Sequence, residues 1–220
     1  MLKYEDILGD KYINSLINSI KSDPYMLNHS SRHIYKVVEN VEKISNQLNC
    51  DNIFINNIKI AALLHDVGMT VQRKDHAQYS YEIAKKYLDK QNINEKDKNE
   101  ILYSIKKHSN AKNSNSLMHQ ILVVADKMDI DKTRMMPKAF LNKSDKNLIY
   151  INNVNIEITN DAVNMKFNVE DNHFKDICIF LEDWPKPITE IRRFAKFLNK
   201  TPHFLFNEKE ELFEEDIYKI

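Results

Sequence analysis

The sequence predicts a mainly α-helical fold, an all-helical bundle with a small C-terminal β-hairpin and helix appended. Three observations carry this expectation. Apolar residues recur at spacings of three and four from Asp23 to about Leu141, with a plausible stop between successive runs. After Asn147 the period drops to two. A last stripe at helical spacing, Ile188, Ile191, Phe194, Ala195 and Leu198, precedes Thr201-Pro202.

In chain order, Asp23-Pro24 reads as a cap followed by a proline at the first helical position. Ser30 or Ser31 can cap a helix that carries Ile34, Val37, Val38, Val41, Ile44 and Leu48 on one face. Ile53 to Asp66 is apolar nearly all round, as befits a central helix, and Gly68 is the expected stop. Asp75 is the expected cap of a helix with Ala77, Ser80, Tyr81, Ala84, Tyr87 and Leu88 inward. Further stripes run through Ile101, Leu102, Ile105 and His108, then through Leu117, Ile121, Val124, Ala125 and Met128. In the tail of the chain, Val154, Ile156 and Ile158 alternate with polar residues, Thr159 to Ala162 reads as a turn, and Val163, Met165, Phe167 and Val169 alternate again. Leu148 to Ile151 is a candidate third strand, and the Glu-rich stretch from Glu208 to Asp216 reads as a closing helix or docking surface. Two domains are expected, residues 1–146 as a helical domain and residues 147–220 as the appendage packed on it.

Composition narrows the function. With 32 Lys+Arg against 32 Asp+Glu the net charge is +0, so no long-range field favours polyanionic nucleic acid or an acidic membrane. Two glycines in 220 residues rule out nucleotide-binding loops built from several. Cys50 and Cys178 form no CxxC, which argues against a disulfide framework or a thiolate zinc site and fits a reducing cytoplasm. The longest apolar runs are too short to cross a bilayer.

The ionisable residues embedded in the apolar runs point to chemistry. His65 and Asp66 close the run Ile60 to Leu64, and Asp126 directly follows Leu122-Val123-Val124-Ala125. A buried carboxylate must be protonated, paired, hydrogen-bonded or bound to a cation. Few cationic side chains occupy the buried faces, but His33 shares the stripe of Val37 and Val41, and His108 continues that of Ile101 and Ile105. Taken singly, His33 or His108 is an ordinary core histidine and Asp126 a cap. Taken together they favour a metal site of imidazole nitrogen and carboxylate oxygen, suited to a divalent transition metal (Mn, Fe, Co or Ni) ahead of Mg or Zn.

These residues resemble the HD superfamily of metal-dependent phosphohydrolases. His33, the doublet in Ala61-Ala62-Leu63-Leu64-His65-Asp66-Val67-Gly68, and Asp126 follow that family's H…HD…D pattern over about Asn28 to Arg134. The resemblance implies an all-helical fold and at least one bound metal. In binuclear branches of the family two further histidines lie between the doublet and the last Asp, and His76 and His108 occupy those places. It also implies that Asp66 bridges two metals and orients a metal-activated hydroxide for attack on phosphorus. Two features depart from particular branches: Met69 stands where some have the lysine of HD-x-G-K, and no Gly-Tyr-Pro follows the doublet. Small bacterial members, the diadenosine tetraphosphatase branch among them, are the most similar.

The expected enzyme is thus a phosphohydrolase with one or two metal ions, acting on a small phosphorylated substrate such as a nucleotide. Lys127, Arg134 and Arg73 are the candidates for gripping substrate phosphate. Two alternatives stay open, an HD-fold diiron oxygenase using the same ligands and a noncatalytic regulatory module. The C-terminal part could cover the site, bind a partner or join copies into a homo-oligomer. His29 is set aside because Ser30-Ser31 looks like a helix boundary, His119, His173 and His203 are expected at the surface, and Trp184 is expected to pack locally.

Overall fold

A computed structural model describes residues 2–21, 28–136, 138 and 145–211. The chain divides into two compact units, Met1–Lys21 with His29–Asp126, and Ser22–Asn28 with Lys127–Ile220. The first unit is helical: α1 (Tyr4–Leu8), α2 (Lys11–Ser19), α3 (Ser31–Gln47), α4 (Asn52–Leu64), α5 (His76–Leu88), α6 (Glu95–Lys107) and α7 (Leu117–Lys127), with a 3₁₀ turn at Val67–Thr70. The second holds 3₁₀ turns at Lys132–Arg134 and Asp145–Tyr150, strands β1 (Ile151–Ile158) and β2 (Ala162–Val169), helices α8 (Phe174–Asp183) and α9 (Lys186–Phe197), and strands β3 (Thr201–Phe206) and β4 (Lys209–Glu211). The fold is mainly α with a small C-terminal sheet, as the sequence predicts. Among the described residues no helix is long and apolar enough to cross a membrane.

In the helical unit α3 buries one stripe, Ile34, Val37, Val38, Val41 and Ile44, against α4. Helix α4 starts at Asp51, whose carboxylate accepts the Phe54 N–H at 2.8 Å, and buries every residue from Ile60 to Leu64. Helix α7 buries every residue from Met118 to Asp126. These two all-round apolar segments deliver His65, Asp66 and Asp126 into the core. Asn40, in the middle of α3, donates to the Ala125 carbonyl at 3.1 Å, which ties α3 to the end of α7 that carries Asp126.

The second unit is a four-stranded sheet in the order β1-β2-β3-β4. The β1–β2 hairpin is antiparallel with Ile156 opposite Met165, and an irregularity falls between Ile151 and Asn153. Strand β3 adds parallel to β2 with Met165 opposite Phe204, the α8–α9 pair serving as the crossover, and β4 pairs antiparallel with β3. The inward alternation of Val163, Met165 and Phe167 on β2 with Phe204 and Phe206 on β3 is covered by α9.

Several local expectations change. Leu148 to Ile151 is not a third strand: Asp145–Tyr150 is a 3₁₀ turn, and the extra strands are β3 and β4, formed by Thr201–Phe206 and Lys209–Glu211. The stretch Lys209–Glu211 is therefore strand rather than the start of a closing helix; the rest of that tail, like Asp23-Pro24, lies outside the described residues. Among the described residues between α7 and residue 138, only the turn at Lys132–Arg134 is helical, and the rest of the pattern toward Leu141 lies outside the described residues. Asp75 and Ser30 occupy N-cap positions, but neither side chain makes the capping hydrogen bond, and Asp75 sits in the left-handed region at φ 61°. Gly68 is not a helix stop with positive φ: it lies inside the 3₁₀ turn, where a Cβ would come within 2.2 Å of the His76 carbonyl oxygen and 2.3 Å of the Ser80 nitrogen. Only hydrogen fits there, and the Gly68 N–H donates to Ser80 Oγ at 2.8 Å.

Candidate metal centre

Five local devices bring six side chains together. His33 lies in the first turn of α3, 1% exposed. His65 caps the C-terminus of α4, and the chain leaves helical geometry at Asp66 (φ −111°, ψ 6°), so adjacent residues both reach the centre instead of diverging by the helical turn angle. His76 opens α5, His108 caps the C-terminus of α6, and Asp126 stands one residue before the end of α7.

Three of the histidines are oriented alike. Nδ1 of His65 lies 2.7 Å from the Ala62 carbonyl, Nδ1 of His108 2.7 Å from that of Ile105, and Nδ1 of His76 2.9 Å from that of Arg73. Each carbonyl is three residues back. In His65 and His108 it is one of the acceptors a helix leaves unpaired at its C-terminus. A carbonyl accepts only, so Nδ1 carries a proton in each ring and Nε2 is the nitrogen turned to the centre.

Those nitrogens surround Asp66, which is 2% exposed. Its Oδ2 lies 3.6 Å from His33 Nε2 and 3.5 Å from His65 Nε2, while its Oδ1 lies 3.3 Å from His76 Nε2 and 3.4 Å from His108 Nε2. Asp126 Oδ1 is 3.2 Å from His33 Nε2. The geometry yields three overlapping sets of potential ligands, His33/His65/Asp66, His65/His108/Asp126 and Asp66/His76/His108, each with ligand atoms within 4.8 Å of one another.

Electrostatics test the fit to a cation. His65 Nε2 is fully buried and makes no hydrogen bond. The Nε2 atoms of His76 and His108 face each other at 3.0 Å, and with both Nδ1 atoms protonated two lone pairs point at one another. They repel unless a proton or a metal ion lies between them. Burial pushes His65 down to about 4 and lowers His76 as well, so both rings are neutral donors near pH 7. Burial alone would raise the Asp66 carboxyl, but the surrounding imidazoles, His65 first, hold it well below the usual carboxylate range. Neutral nitrogens and ionised oxygens turned inward, with no Lys or Arg among the groups that set these protonation states, make a donor set that fits a divalent metal.

The structure thus gathers His33, His65, Asp66, His76, His108 and Asp126. The candidates for substrate phosphate are disposed differently. Arg73 is exposed, and its carbonyl orients His76. Lys127 is half-buried at the end of α7. Arg134 is 3% exposed, donates from Nη1 to the Asp129 carbonyl at 2.9 Å and lies 3.5 Å from the Asp129 carboxylate, so its charge is matched inside its own unit. Two histidines differ from expectation. His29 meets His33 edge to face at 5.5 Å between ring centroids and helps hold Asp66 ionised; its i,i+4 spacing to His33 was the available signal. His119 is buried, not at the surface, bonded through Nδ1 to Ser114 Oγ at 2.7 Å and through Nε2 to the Lys107 carbonyl at 2.9 Å. Trp184 packs beside Phe180, centroids 5.8 Å apart.

The HD domain family matches residues 31–131, the stretch that carries all six inward-facing ligand-type side chains. That part of the chain is similar to HD domains. Among solved structures, one described as a predicted HD superfamily hydrolase from an uncultured Thermotogales bacterium is similar at 20% identity, covering 87% of this chain and 91% of that one, with a TM-score of 0.49. No curated protein matches the sequence.

Proposed function

We propose that the protein is a metal-dependent phosphohydrolase that cleaves a phosphoester or phosphoanhydride of a nucleotide or similar small phosphate. The observation that carries this reading is the division of the Asp66 carboxylate, with one oxygen facing His33 and His65 and the other facing His76 and His108. Divalent ions held by His33, His65, Asp66, His76, His108 and Asp126 would supply Lewis acidity toward a phosphoryl oxygen and make a hydrolytic nucleophile available near neutral pH. The chain's own residues do the rest. Asp66 spans both halves of the site and orients the attacking water. The three Nδ1–carbonyl bonds keep the imidazoles from rotating, so the donor set is preorganised. Burial of His33, His65 and His108 keeps bulk water from their nitrogens. Arg73, exposed next to the His76 turn, and Lys127, adjacent in sequence to Asp126, are the cations assigned to substrate phosphate; the buried pairing with Asp129 makes Arg134 the weakest of the three.

Metal analysis of protein purified without chelator, followed by a panel of phosphoesters with Mn, Co, Ni or Fe, tests this reading. Bound transition metal and phosphate release are expected. A metal-loaded protein that consumes oxygen and releases no phosphate would instead be an oxygenase on the same ligands.

A further inference from the structure

A second concave site lies on the opposite face of α6 from the metal centre. Along α6, Ile101 and Ile105 face inward with the cap residue His108, whereas Tyr103, Lys106 and Lys107 repeat at i, i+3 and i+4 on the outer face and Asn110 follows just beyond the helix. With the connection to α7 these residues enclose a cleft of about 360 Å³, within the range of small-molecule sites. Lys106 and Lys107 stand in the last turn of α6, where the helix dipole alone accounts for basic residues. Lys112 is different. It lies beyond the helix, on the connection, and adds a third lysine to the lining of the same cleft. No carboxylate is among the described residues that line it, although acids equal bases in the whole chain.

The wall is rigid and carries its own donors. His119, 1% exposed, has both ring nitrogens bonded, to Ser114 Oγ and the Lys107 carbonyl, and so clamps the connection to the end of α6. Tyr103 is 42% exposed and meets the His119 ring edge to face at 5.3 Å, leaving an aromatic surface at the rim. Ser109 and Asn110 complete the lining. Lys106 Nζ is steadied over the Tyr81 ring at 4.7 Å from its centroid.

We propose that this cleft is a binding site, separate from the metal centre, for a small polyanion bearing more than one phosphate. Lys107 and Lys112 on the lining, with the Lys106 charge beside it over Tyr81, match an anion whose charge is distributed over several oxygens better than a single carboxylate. The inference stands apart from the hydrolase reading, since none of the residues used is one of the six ligands.

The probe is inorganic tripolyphosphate, titrated calorimetrically into protein stripped of metal by chelator and dialysed, so that ions at the metal centre contribute nothing. Saturable binding that weakens as salt rises is expected. In the doubly reversed variant Lys107→Glu/Lys112→Glu, both positions exposed, affinity should fall at least about tenfold while the far-ultraviolet spectrum and metal content on reloading stay unchanged. Failure of the metal-free protein to bind the probe, or equal affinity in the variant, overturns the proposal.

Discussion

Asp66 is ionised in a buried nest of imidazoles, and His65 beside it is pushed down to about 4 by burial. Both facts act on the metal-free protein in one direction as pH falls. An unfolded histidine takes up its proton near 6.5, whereas folded His65 refuses it until about 4, so between those values the unfolded chain binds more protons and stability drops with pH. His76, also lowered, adds to the loss in the same sense. Asp66 contributes stability above its ordinary value, and that part disappears as pH falls through its lower folded value. For His65 alone the effect amounts to about 3 kcal/mol across the interval. Urea unfolding of chelator-treated protein at about pH 4.5 and about pH 7.5 should show the midpoint fall in acid, and His65→Leu should flatten the dependence. An acid-insensitive midpoint would mean that His65 is not held neutral. Loading the centre makes a separate test: Asp66→Ala removes the one side chain that faces both histidine pairs and should lower metal content and phosphate release together, by about a hundredfold or more. Turnover retained in that variant would place the chemistry elsewhere.

The ligands depend on how elements meet, and Gly68 is the tightest of those meetings. The 3₁₀ turn Val67–Thr70 presses on the first turns of α5 so closely that a methyl group at Gly68 would lie 2.2 Å from the His76 carbonyl oxygen and 2.3 Å from the Ser80 nitrogen. Both are backbone atoms, so relief requires α5 to move, and His76 moves with it. Gly68→Ala should therefore cost about 1–3 kcal/mol in urea unfolding and weaken metal retention on the His76–His108 side. A variant with unchanged stability and metal content would show that the α5 contact is looser than the distances indicate. Sequence reading mistook this glycine for a helix stop because the pattern showed α4 ending but not the segment packed across the turn. The long elements were plain: α3 and α6 each bury one stripe, and α4 and α7 are apolar all round. Helix α8 was missed since its buried set is only Ile177, Phe180 and Leu181. Strand β3 was missed because its neighbour β2 is parallel and remote in sequence, and no turn signal announces such a pair.

Across the whole chain, what could be read in advance follows from where burial conflicts with charge. His65, Asp66 and Asp126 sit in apolar runs, and that conflict is visible in any one-dimensional reading. His119 hid from it: a polar stretch surrounds it, yet Ser114 Oγ and the Lys107 carbonyl satisfy it inside the fold. The substrate cations were least legible, because exposure and ion pairing, as for Arg134 against Asp129, depend on folded neighbours. All six inward-facing ligand-type side chains fall within the unit Met1–Lys21 with His29–Asp126. They come from α3, α5, α6, α7 and the junction after α4, so an unfolded chain cannot assemble them. Metal binding is then linked to the folding of that unit: a metal present at a hundredfold excess over its dissociation constant stabilises the native state by about 2.7 kcal/mol. For a chain of this size that is a rise in thermal midpoint of roughly 5 to 10 °C. Scanning calorimetry with Mn or Co against chelator should show this rise in wild type and little of it in Asp66→Ala. Identical midpoints with and without metal in the wild-type protein would mean that the converging imidazoles and carboxylates hold no ion.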